Sequence, residues 1–228
     1  MNISVIIPVY NEEKTLEQII SKVLDTGLVY EIICVNDGST DNSQKILEKI
    51  QASEKSHIKL LNHKHNSGKG ASIITGLKEV SGDLVLIQDA DLEYDPNQYK
   101  KLFELFKNPE VQVVYGSRNL IQNPKSTYAF YIGGVILSKI TNVLYSSEIT
   151  DESTCYKVFK ADLLKNLNLK EKGFEFCPEV TSKILKRKIK IYEIPITYFP
   201  RSTKEGKKIK WRDGIKAIWT LFKYKFSE

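Results

Sequence analysis

The sequence predicts an α/β fold with a mostly parallel central sheet that is covered by helices on both faces. Two patterns carry this prediction. Strand-like runs alternate strictly with helical patterns up to about residue 115, giving five strands and four helices. The strand-like runs are also apolar at almost every position, which is typical of parallel strands buried on both faces.

The predicted elements follow one another without an obvious linker. A helical stripe of apolar residues follows the first strand, and Asp41 and Gln44 resemble a capping box at the start of the second helix. In order, the predicted strands cover residues 3–8, 31–35, 57–61, 84–88 and 111–115. The predicted helices cover residues 16–24, a segment beginning near 41, about 68–80 and about 96–106.

The second half of the chain departs from this alternation. Residues 127–147 are rich in apolar and aromatic side chains, residues 154–159 and 189–198 resemble further strands, and Trp211–Phe226 resembles a terminal helix. We expect a single domain over residues 1–228. Its first half would be residues 1–117 and its second half residues 118–228, with a basic loop and a C-terminal amphipathic helix.

Composition excludes several classes of protein. The chain is 41% apolar and 27% charged, which is ordinary for a globular protein and unlike a disordered or collagen-like chain. The three cysteines, Cys34, Cys155 and Cys177, have no metal-binding spacing, so we expect reduced thiols and a cytoplasmic location. Cys34 lies in an apolar run and is expected to be a core residue. His63 and His65 flank a strand end and are expected on the surface.

The positive charge is concentrated late in the chain. The net charge is +6, and residues 183–212 contain eleven lysines and arginines against two glutamates. Arg201 and five other basic residues surround Gly206 within residues 198–212. This segment is either a solvated basic loop or a mobile loop whose cations close over a diphosphate. No aromatic stacking platform or nucleic-acid motif accompanies it, so we expect no nucleic-acid partner.

Polar residues follow three of the predicted strands. Ligands of parallel sheets bind beyond the carboxyl ends of the strands. These ends hold Pro8, Tyr10 and Glu12 after the first strand, Asp37 after the second, and Asp89 and Asp91 after the fourth.

Asp89 and Asp91 are the strongest chemical candidates. In an extended chain, residues two apart point the same way, and paired carboxylates suit Mg²⁺ or Mn²⁺ together with substrate phosphate oxygens. A metal there would neutralise a departing diphosphate. The alternative is that the two aspartates cap a turn, just as Asp37 in the run 36–41 could belong to a turn before a helix.

The glycine-rich run NSGKGA, residues 66–71, fits neither of two nucleotide-binding motifs. A P-loop would need glycine where His63 stands, and a dinucleotide fingerprint would need glycine where Ile73 stands. What remains is a glycine-rich helix N-terminus that could receive a phosphate or a sugar oxygen.

Taken together, these motifs resemble family-2 glycosyltransferases of the GT-A fold, and among them the dolichol-phosphate mannose synthase-like enzymes. The matching runs are VIIPVYNEE, VNDGSTD, NSGKGA, DADLEYDP, YGSR, TDESTCYKVF, GFEFCPEVTSKI and IPITYFPR followed by EGKKIKWRDGIKA. The resemblance spans essentially the whole chain. It implies a nucleotide-sugar-binding half at residues 1–117 and an acceptor-side half at residues 118–228.

The resemblance also implies roles for individual residues. Asp89 and Asp91 would bind Mg²⁺ or Mn²⁺ and the diphosphate, and Arg118 would receive the acceptor phosphate. Some relatives have a further arginine in this region, whereas residues 123–130 here offer only Lys125. The remaining nucleotide-sugar residues would be Pro8, Tyr10, Glu12 and Asp37 at the base and ribose, together with Lys69 and Arg201.

The function implied is transfer of a hexose, with inversion, from a UDP-glucose or GDP-mannose type of donor to a polyprenyl or dolichyl phosphate. A lipid phosphate is already ionised near neutral pH, so it needs positioning more than a strong base. Two alternatives remain open. Transfer to a saccharide hydroxyl would need a base, for which Asp151 is the candidate, although Asp151 could also be a turn cap. The second alternative is that the protein binds a nucleotide sugar or a lipid without catalysing a reaction.

A lipid acceptor requires contact with a membrane surface. One stripe of the terminal helix is apolar and has basic residues beside it; the stripe consists of Trp211, Ile215, Ile218, Trp219, Phe222 and Phe226. This stripe either docks on the core or lies at the cytoplasmic face of a membrane as a peripheral contact.

Overall fold

Among the described residues, seven strands form one sheet in the order β3-β2-β1-β4-β6-β5-β7. The computed structural model describes residues 1–53, 57–125, 127–201 and 208–227. Strand β6 is antiparallel to β4 and β5, and the other neighbouring pairs are parallel. The strands are β1 Ile3–Val9, β2 Glu31–Asn36, β3 Ile58–Asn62, β4 Leu84–Ile87, β5 Val113–Ser117, β6 Lys157–Lys160 and β7 Ile191–Pro195. The predicted fold class, a mostly parallel sheet surrounded by helices, is confirmed.

Helices pack around the sheet because the strands are apolar on both faces. Val5, Ile6 and Ile7 of β1 are fully buried. The α-helices are α1 Leu16–Asp25, α2 Ser43–Ser53, α3 Lys69–Leu77, α4 Tyr99–Glu104, α5 Tyr128–Tyr145, α6 Ala161–Lys165, α7 Phe176–Lys186 and α8 Trp211–Phe226. Helix α3 approaches β1 closely, since a Cβ atom on Gly76 would lie 2.8 Å from the Ile6 Cγ2 atom. Cys34 is fully buried, as predicted.

Strand order creates the crevice that positions the site. Strands β2 and β4 lie on opposite sides of β1, so the chain reverses direction across the sheet at β1. The loops that follow β1 and β4 therefore diverge and leave a crevice beyond the carboxyl edge of the sheet. The predicted clusters at residues 8–12, 36–37 and 89–91 all follow strands that meet at this edge.

One local prediction was wrong, and one helix was not predicted. The helix after β2 begins at Ser43, where the Asp41 carboxylate accepts a hydrogen bond from the Ser43 backbone N–H (2.9 Å). The Gln44 side chain donates instead to Glu48 one turn later, so the capping box does not form. The predicted helix at about 96–106 is confirmed as a helical segment in which α4 is flanked by one 3₁₀ turn on each side, whereas α7 was not predicted.

Helix α8 has one packed face and one exposed face. Ala217 and Leu221 pack against Leu137 of α5, and the Tyr224 hydroxyl donates to Glu179 of α7 (2.8 Å). The opposite stripe is exposed and apolar, and it consists of Trp211, Ile215, Trp219, Phe222 and Phe226. Helix α5 adds its own exposed face, formed by Tyr128, Tyr131, Ile132, Ile136 and Val143. Docking on the core thus accounts for only one side of the terminal helix.

Candidate active site

A cavity of about 730 Å³ opens at the carboxyl edge of β1, β2 and β4. It extends from the strand ends to the N-terminal parts of α5 and α8. Nine of the residues predicted for donor, metal or acceptor binding line it: Pro8, Tyr10, Glu12, Asp37, Lys69, Asp89, Asp91, Arg118 and Arg201. The structure therefore brings together residues that are separated by up to about 190 positions in the sequence.

Asp89 lies just beyond β4 and is paired with Lys69. The Lys69 ammonium group is 2.5 Å from the Asp89 carboxylate, and both side chains are largely buried. Burial works to raise the pKa of Asp89, but the adjacent Lys69 outweighs it and holds the pKa below its usual range. Asp89 is therefore ionised at neutral pH, as a ligand of a divalent cation must be.

Asp91 lies in a more negative environment. Burial raises its pKa to about 7, and the neighbouring Asp89 and Glu93 add to the increase. Arg201 offsets part of this charge, with its guanidinium 3.3 Å from the Asp91 carboxylate. Asp89, Asp91 and Glu93 lie close together, and Arg201 offsets only part of their negative charge. A bound cation would therefore stabilise the ionised form of Asp91.

The residues present fit Mg²⁺ or Mn²⁺. No group of three or more histidine, cysteine or acidic side chains in the described ranges could hold a metal by itself. A pair of carboxylates is nevertheless the usual protein contribution at nucleotide sites, where phosphate oxygens and water complete the coordination. Asp89 and Asp91 supply the hard oxygen ligands that these ions prefer.

Arg201 and Lys208 close one side of the cavity. Arg201 donates two hydrogen bonds of 2.9 Å to the two carboxylate oxygens of Glu12. The Lys208 ammonium is 2.6 Å from the same carboxylate and also donates to the Tyr10 backbone carbonyl. The predicted cationic segment thus contacts the first strand end through its two flanks. Lys204, Gly206 and Lys207 lie outside the described residues.

The Asp37 carboxylate is hydrogen-bonded to other residues of the protein. Its carboxylate accepts hydrogen bonds of 2.8 Å from the backbone N–H groups of Ser67 and Gly68, and it lies 2.7 Å from the His63 ring. The other ring nitrogen of His63 contacts Thr75, so the prediction of a surface position for His63 was wrong. A direct contact between Asp37 and a nucleotide stays a prediction.

The N–H groups at the glycine-rich N-terminus of α3 are already hydrogen-bonded to another segment of the protein. The N–H groups of Gly70 and Ala71 donate to the backbone carbonyls of Gly173 and Lys172. A Cβ atom on Gly70 would lie 2.2 Å from the Glu171 carbonyl oxygen, so only glycine allows this approach. The start of α3 therefore binds another part of the chain instead of receiving a phosphate, and the run NSGKGA contributes Lys69 to the cavity.

Arg118 is held in a fixed orientation by Asp151. The guanidinium donates two hydrogen bonds of 2.7 Å to the two Asp151 oxygens, and the Arg118 backbone N–H donates a third (2.9 Å). Asp151 is 1% exposed, and its own backbone N–H donates to Glu193. The Ser153 hydroxyl and the face of the Tyr198 ring complete the surroundings of the guanidinium. Such a bidentate pair fixes a planar cation at a defined position.

A second cavity, of about 580 Å³, lies on the other side of Arg118. Arg118 lines both cavities, as do Phe130, Gly134 and Tyr198. Asp151 and Lys125 line the second one, and the Lys125 ammonium lies 3.7 Å from the centre of the Tyr131 ring. Arg118 thus forms part of the wall that the two cavities share.

Sequence reasoning missed Glu93 and Tyr198. Glu93 accepts a hydrogen bond from the Tyr198 hydroxyl (2.8 Å) and another from the Arg201 backbone N–H (2.7 Å). These contacts fix the start of the basic segment beside Asp91. The spacing was a usable signal, because Glu93 continues the two-residue repeat of Asp89 and Asp91.

The exposed faces of α5 and α8 lie next to the mouth of the larger cavity. Gly133, Gly134, Trp211, Gly214 and Ile215 all line the cavity, and they belong to the first turns of these two helices. Within the part of the chain that the structure covers, no helix combines the length and the apolar character needed to cross a bilayer.

Comparison with known proteins places the chain among sugar-transferring enzymes. It is 30% identical over 220 residues to a dolichol-phosphate mannosyltransferase of Pyrococcus furiosus, an alignment that covers 91% of this chain and 59% of that protein. It is 32% identical over 214 residues to a UDP-N-acetylglucosamine–dolichyl-phosphate N-acetylglucosaminyltransferase of Methanococcus voltae, covering 85% of this chain and 84% of that one. The chain thus spans about three fifths of the length of the first of these relatives.

Solved structures support the same fold. Glucosyl-3-phosphoglycerate synthase of Mycobacterium tuberculosis in complex with UDP superposes with a TM-score of 0.72 at 19% identity, covering 98% of this chain and 80% of that one. A second complex of that enzyme, which contains Mn²⁺, UDP and glucosyl-3-phosphoglycerate, gives a TM-score of 0.69 at 18% identity, covering 98% and 79%. The fold is the GT-A fold. The family model for glycosyl transferase family 2 matches residues 4–167, which is more than half of the chain. The protein therefore belongs to glycosyltransferase family 2.

Proposed function

We propose that this glycosyltransferase moves a hexose from a nucleotide sugar to a polyprenyl phosphate, with inversion at the anomeric carbon. The observation that carries the proposal is the position of Arg118, a rigidly held cation in the wall between the donor cavity and a second, partly cationic cavity. The names of the two relatives given above support the same acceptor class, because both transfer a sugar to a dolichyl phosphate.

The donor end of the site is the crevice beyond β1, β2 and β4. Pro8, Tyr10 and Glu12 hold the base and ribose, and Asp37 shapes this end by fixing Ser67 and Gly68. A Mg²⁺ or Mn²⁺ ion held by Asp89 and Asp91 would neutralise charge on the diphosphate.

Two cationic side chains complete the diphosphate site. Lys69 keeps Asp89 ionised and presents its own positive charge to the diphosphate. Arg201 exchanges part of its contact with Glu12 for the diphosphate when the donor binds. The donor therefore enters a site whose cations are already placed, which lowers the cost of bringing two anions together.

The acceptor end is organised around Arg118. A phosphomonoester is a dianion for much of the neutral pH range, so its oxygen attacks the sugar carbon without first losing a proton to the enzyme. A single displacement of this kind inverts the anomeric centre. Arg118 holds the acceptor phosphate and Lys125 adds a second positive charge at the neighbouring cavity.

The state of Asp151 favours a phosphate acceptor over a hydroxyl acceptor. A general base must offer a free oxygen to the proton that it removes. Both Asp151 oxygens instead accept hydrogen bonds from Arg118, and the carboxylate is almost completely buried. Asp151 acts by orienting Arg118.

The exposed faces of α5 and α8 bind the membrane surface that holds the lipid. Five large apolar side chains of α8 and five of α5 face solvent, and Ile136, Trp211 and Ile215 among them line the larger cavity. Arg212 of α8 lies beside this apolar stripe and matches the negative charge of anionic lipids. Lys216 and Lys223 pair instead with Glu175 and Glu171.

The test is a transfer assay. The protein is incubated with Mn²⁺ or Mg²⁺, undecaprenyl phosphate and each of a panel of radiolabelled UDP- and GDP-sugars, and the lipid is then extracted. We expect metal-dependent appearance of label in the lipid fraction for one donor. Label transferred only to added saccharides, with no labelled lipid for any donor, would overturn the acceptor assignment. No transfer and no donor hydrolysis with any metal would overturn catalysis itself.

A further inference from the structure

Glu152 is a buried acidic residue without a function in the scheme above. Its side chain is fully buried, and neither carboxylate oxygen has a hydrogen-bond partner among the described residues. Leaving a buried carboxyl group without a partner is costly for the folded protein. Groups of this kind persist where a functional site requires them.

Glu152 also lines the larger cavity. Its two neighbours in sequence, Asp151 and Ser153, both bind the guanidinium of Arg118. Cys155, three residues on, lies beside Asp89. The segment 151–155 therefore runs from the acceptor cation to the metal-binding carboxylate, and Glu152 borders the space between the two.

Lys157 and Thr181 are polar neighbours of Glu152, and both favour its ionised form, although neither carboxylate oxygen has a hydrogen bond of good geometry. Lys157 is fully buried nearby, but its ammonium donates to the backbone carbonyls of Glu152 (2.5 Å) and Thr154 (2.9 Å) and lies over the Tyr115 ring. Burial raises the pKa of Glu152 to about 7, although Lys157 opposes the increase. The carboxyl group is therefore partly protonated near neutral pH and can either donate or accept a hydrogen bond.

We propose that Glu152 hydrogen-bonds a hydroxyl group of the transferred sugar and so helps to select the donor. The proposal rests on the proposed function, since the sugar must pass between the diphosphate at Asp89 and the acceptor phosphate at Arg118. Glu152 lines the cavity but its carboxyl group is fully buried without ligand, so the proposal requires the side chain to rotate towards the cavity when the sugar binds. The sugar thereby supplies the partner that the ligand-free carboxyl lacks.

The experiment tests whether the Glu152 side chain and one sugar hydroxyl contribute to the same contact. Wild type, Glu152→Met and Glu152→Gln are assayed with the active nucleotide sugar and with the analogues that lack one sugar hydroxyl at a time. In wild type, one deoxy donor should lose about 10- to 100-fold in kcat/KM, and the same deletion should cost much less in Glu152→Met. Binding of the nucleoside diphosphate with Mn²⁺ should be unchanged in both variants. The control is Glu148→Gln, because Glu148 is exposed.

The outcomes are separable. If wild type transfers sugar but every deoxy donor loses the same factor in Glu152→Met as in wild type, the inference is wrong. A loss of thermal stability in both variants with unchanged donor selectivity would make Glu152 a counter-charge for Lys157 and would also overturn it. If wild type uses no donor, the proposed function fails instead. Glu152→Gln keeps the shape of the side chain, so it provides the comparison if Glu152→Met does not fold.

Discussion

At the scale of single residues, position in the sheet decides which acidic groups reach the cavity. Asp89 and Asp91 could be identified from the sequence because they directly follow a buried strand. Asp37 could be placed at the same edge but not understood, because its bonds to Ser67 and Gly68 depend on the path of a distant loop. Glu152 could not be identified from any pattern, since its lack of a partner exists only in three dimensions.

Replacing Asp151 by asparagine distinguishes an orienting residue from a base. We expect Asp151→Asn to raise the KM for the polyprenyl phosphate about tenfold or more, because Arg118 loses its charged, bidentate partner. The acid limb of the pH–rate profile should be unchanged. Arg118→Lys should give the same pattern, since it keeps the charge but loses the planar contact. A fall in kcat of about 100-fold or more with loss of the acid limb would instead identify Asp151 as the base.

Glu31 makes the stability of the protein depend on pH in the acid range. Its carboxylate accepts hydrogen bonds from Ser4 and Ser81 and pairs with Lys59. Burial works to raise its pKa, but these partners together lower it from 4.5 to about 2. A depressed pKa stabilises the folded state above the unfolded pKa of 4.5, and the stabilisation is lost as the pH falls towards 2.

We therefore expect Glu31→Gln to lower the free energy of unfolding by about 2 kcal/mol at neutral pH and by much less near the folded pKa. Urea denaturation of both proteins at a series of pH values measures the difference. A difference that stays constant down to acid pH would show that the charge of Glu31 is not the cause.

At the scale of elements, the type of each segment was easier to predict than its place. The apolar run at 154–159 indicated a strand, and β6 is found there, but nothing in its periodicity indicated that it would lie antiparallel between β4 and β5. Periodicity predicts which faces of a segment are buried, but it does not predict which other element covers them. The same limit applied to α8, whose stripe of apolar residues could not be assigned to the core or to a membrane from the sequence. In the structure one face of α8 packs against α5 and the other is exposed.

The exposed face of α8 should bind anionic membranes. We expect Trp219→Ala to weaken binding to vesicles of phosphatidylcholine and phosphatidylglycerol about tenfold, because the Trp219 side chain is 70% exposed. Co-sedimentation with the vesicles measures it. Tyr30→Ala is the control, as Tyr30 is an exposed aromatic residue just before the amino end of β2. Equal binding by Trp219→Ala and wild type would remove α8 from the membrane contact.

The first turns of α5 should hold the start of the lipid chain. Gly133 lies inside a helix, where glycine is unfavourable, yet no atom lies within 4 Å of the position that its Cβ would take. We expect Gly133→Leu to raise the KM for undecaprenyl phosphate about tenfold, while the donor KM stays at the wild-type value and the melting temperature stays at or above that of the wild type. Gly133→Ala should have an intermediate effect. A parallel rise in the donor KM would mean that the substitution disturbs the whole cavity.

At the scale of the whole molecule, the donor and acceptor halves share one sheet. Strand β6 of the second half pairs with β4 of the first, while β5 of the first half pairs with β6 and β7 of the second. The cavity itself needs both halves, since Arg201 and Lys208 contact Glu12. The proposed division at residue 117 therefore does not separate two structural units, and we expect residues 1–117 and 118–228 to unfold together.

Phe159 tests this cooperativity because it is fully buried on β6, between strands from the first half. We expect Phe159→Ala to destabilise the protein by about 3–5 kcal/mol. Hydrogen exchange of peptides from β1 and β2 and of peptides from β7, followed through a urea titration, should show one shared midpoint that shifts by the same amount for both sets. Leu28→Ala, at an exposed loop position, should shift neither. A lowered midpoint confined to β7 would mean that the acceptor half opens on its own, and the site would then be assembled from two separately stable parts.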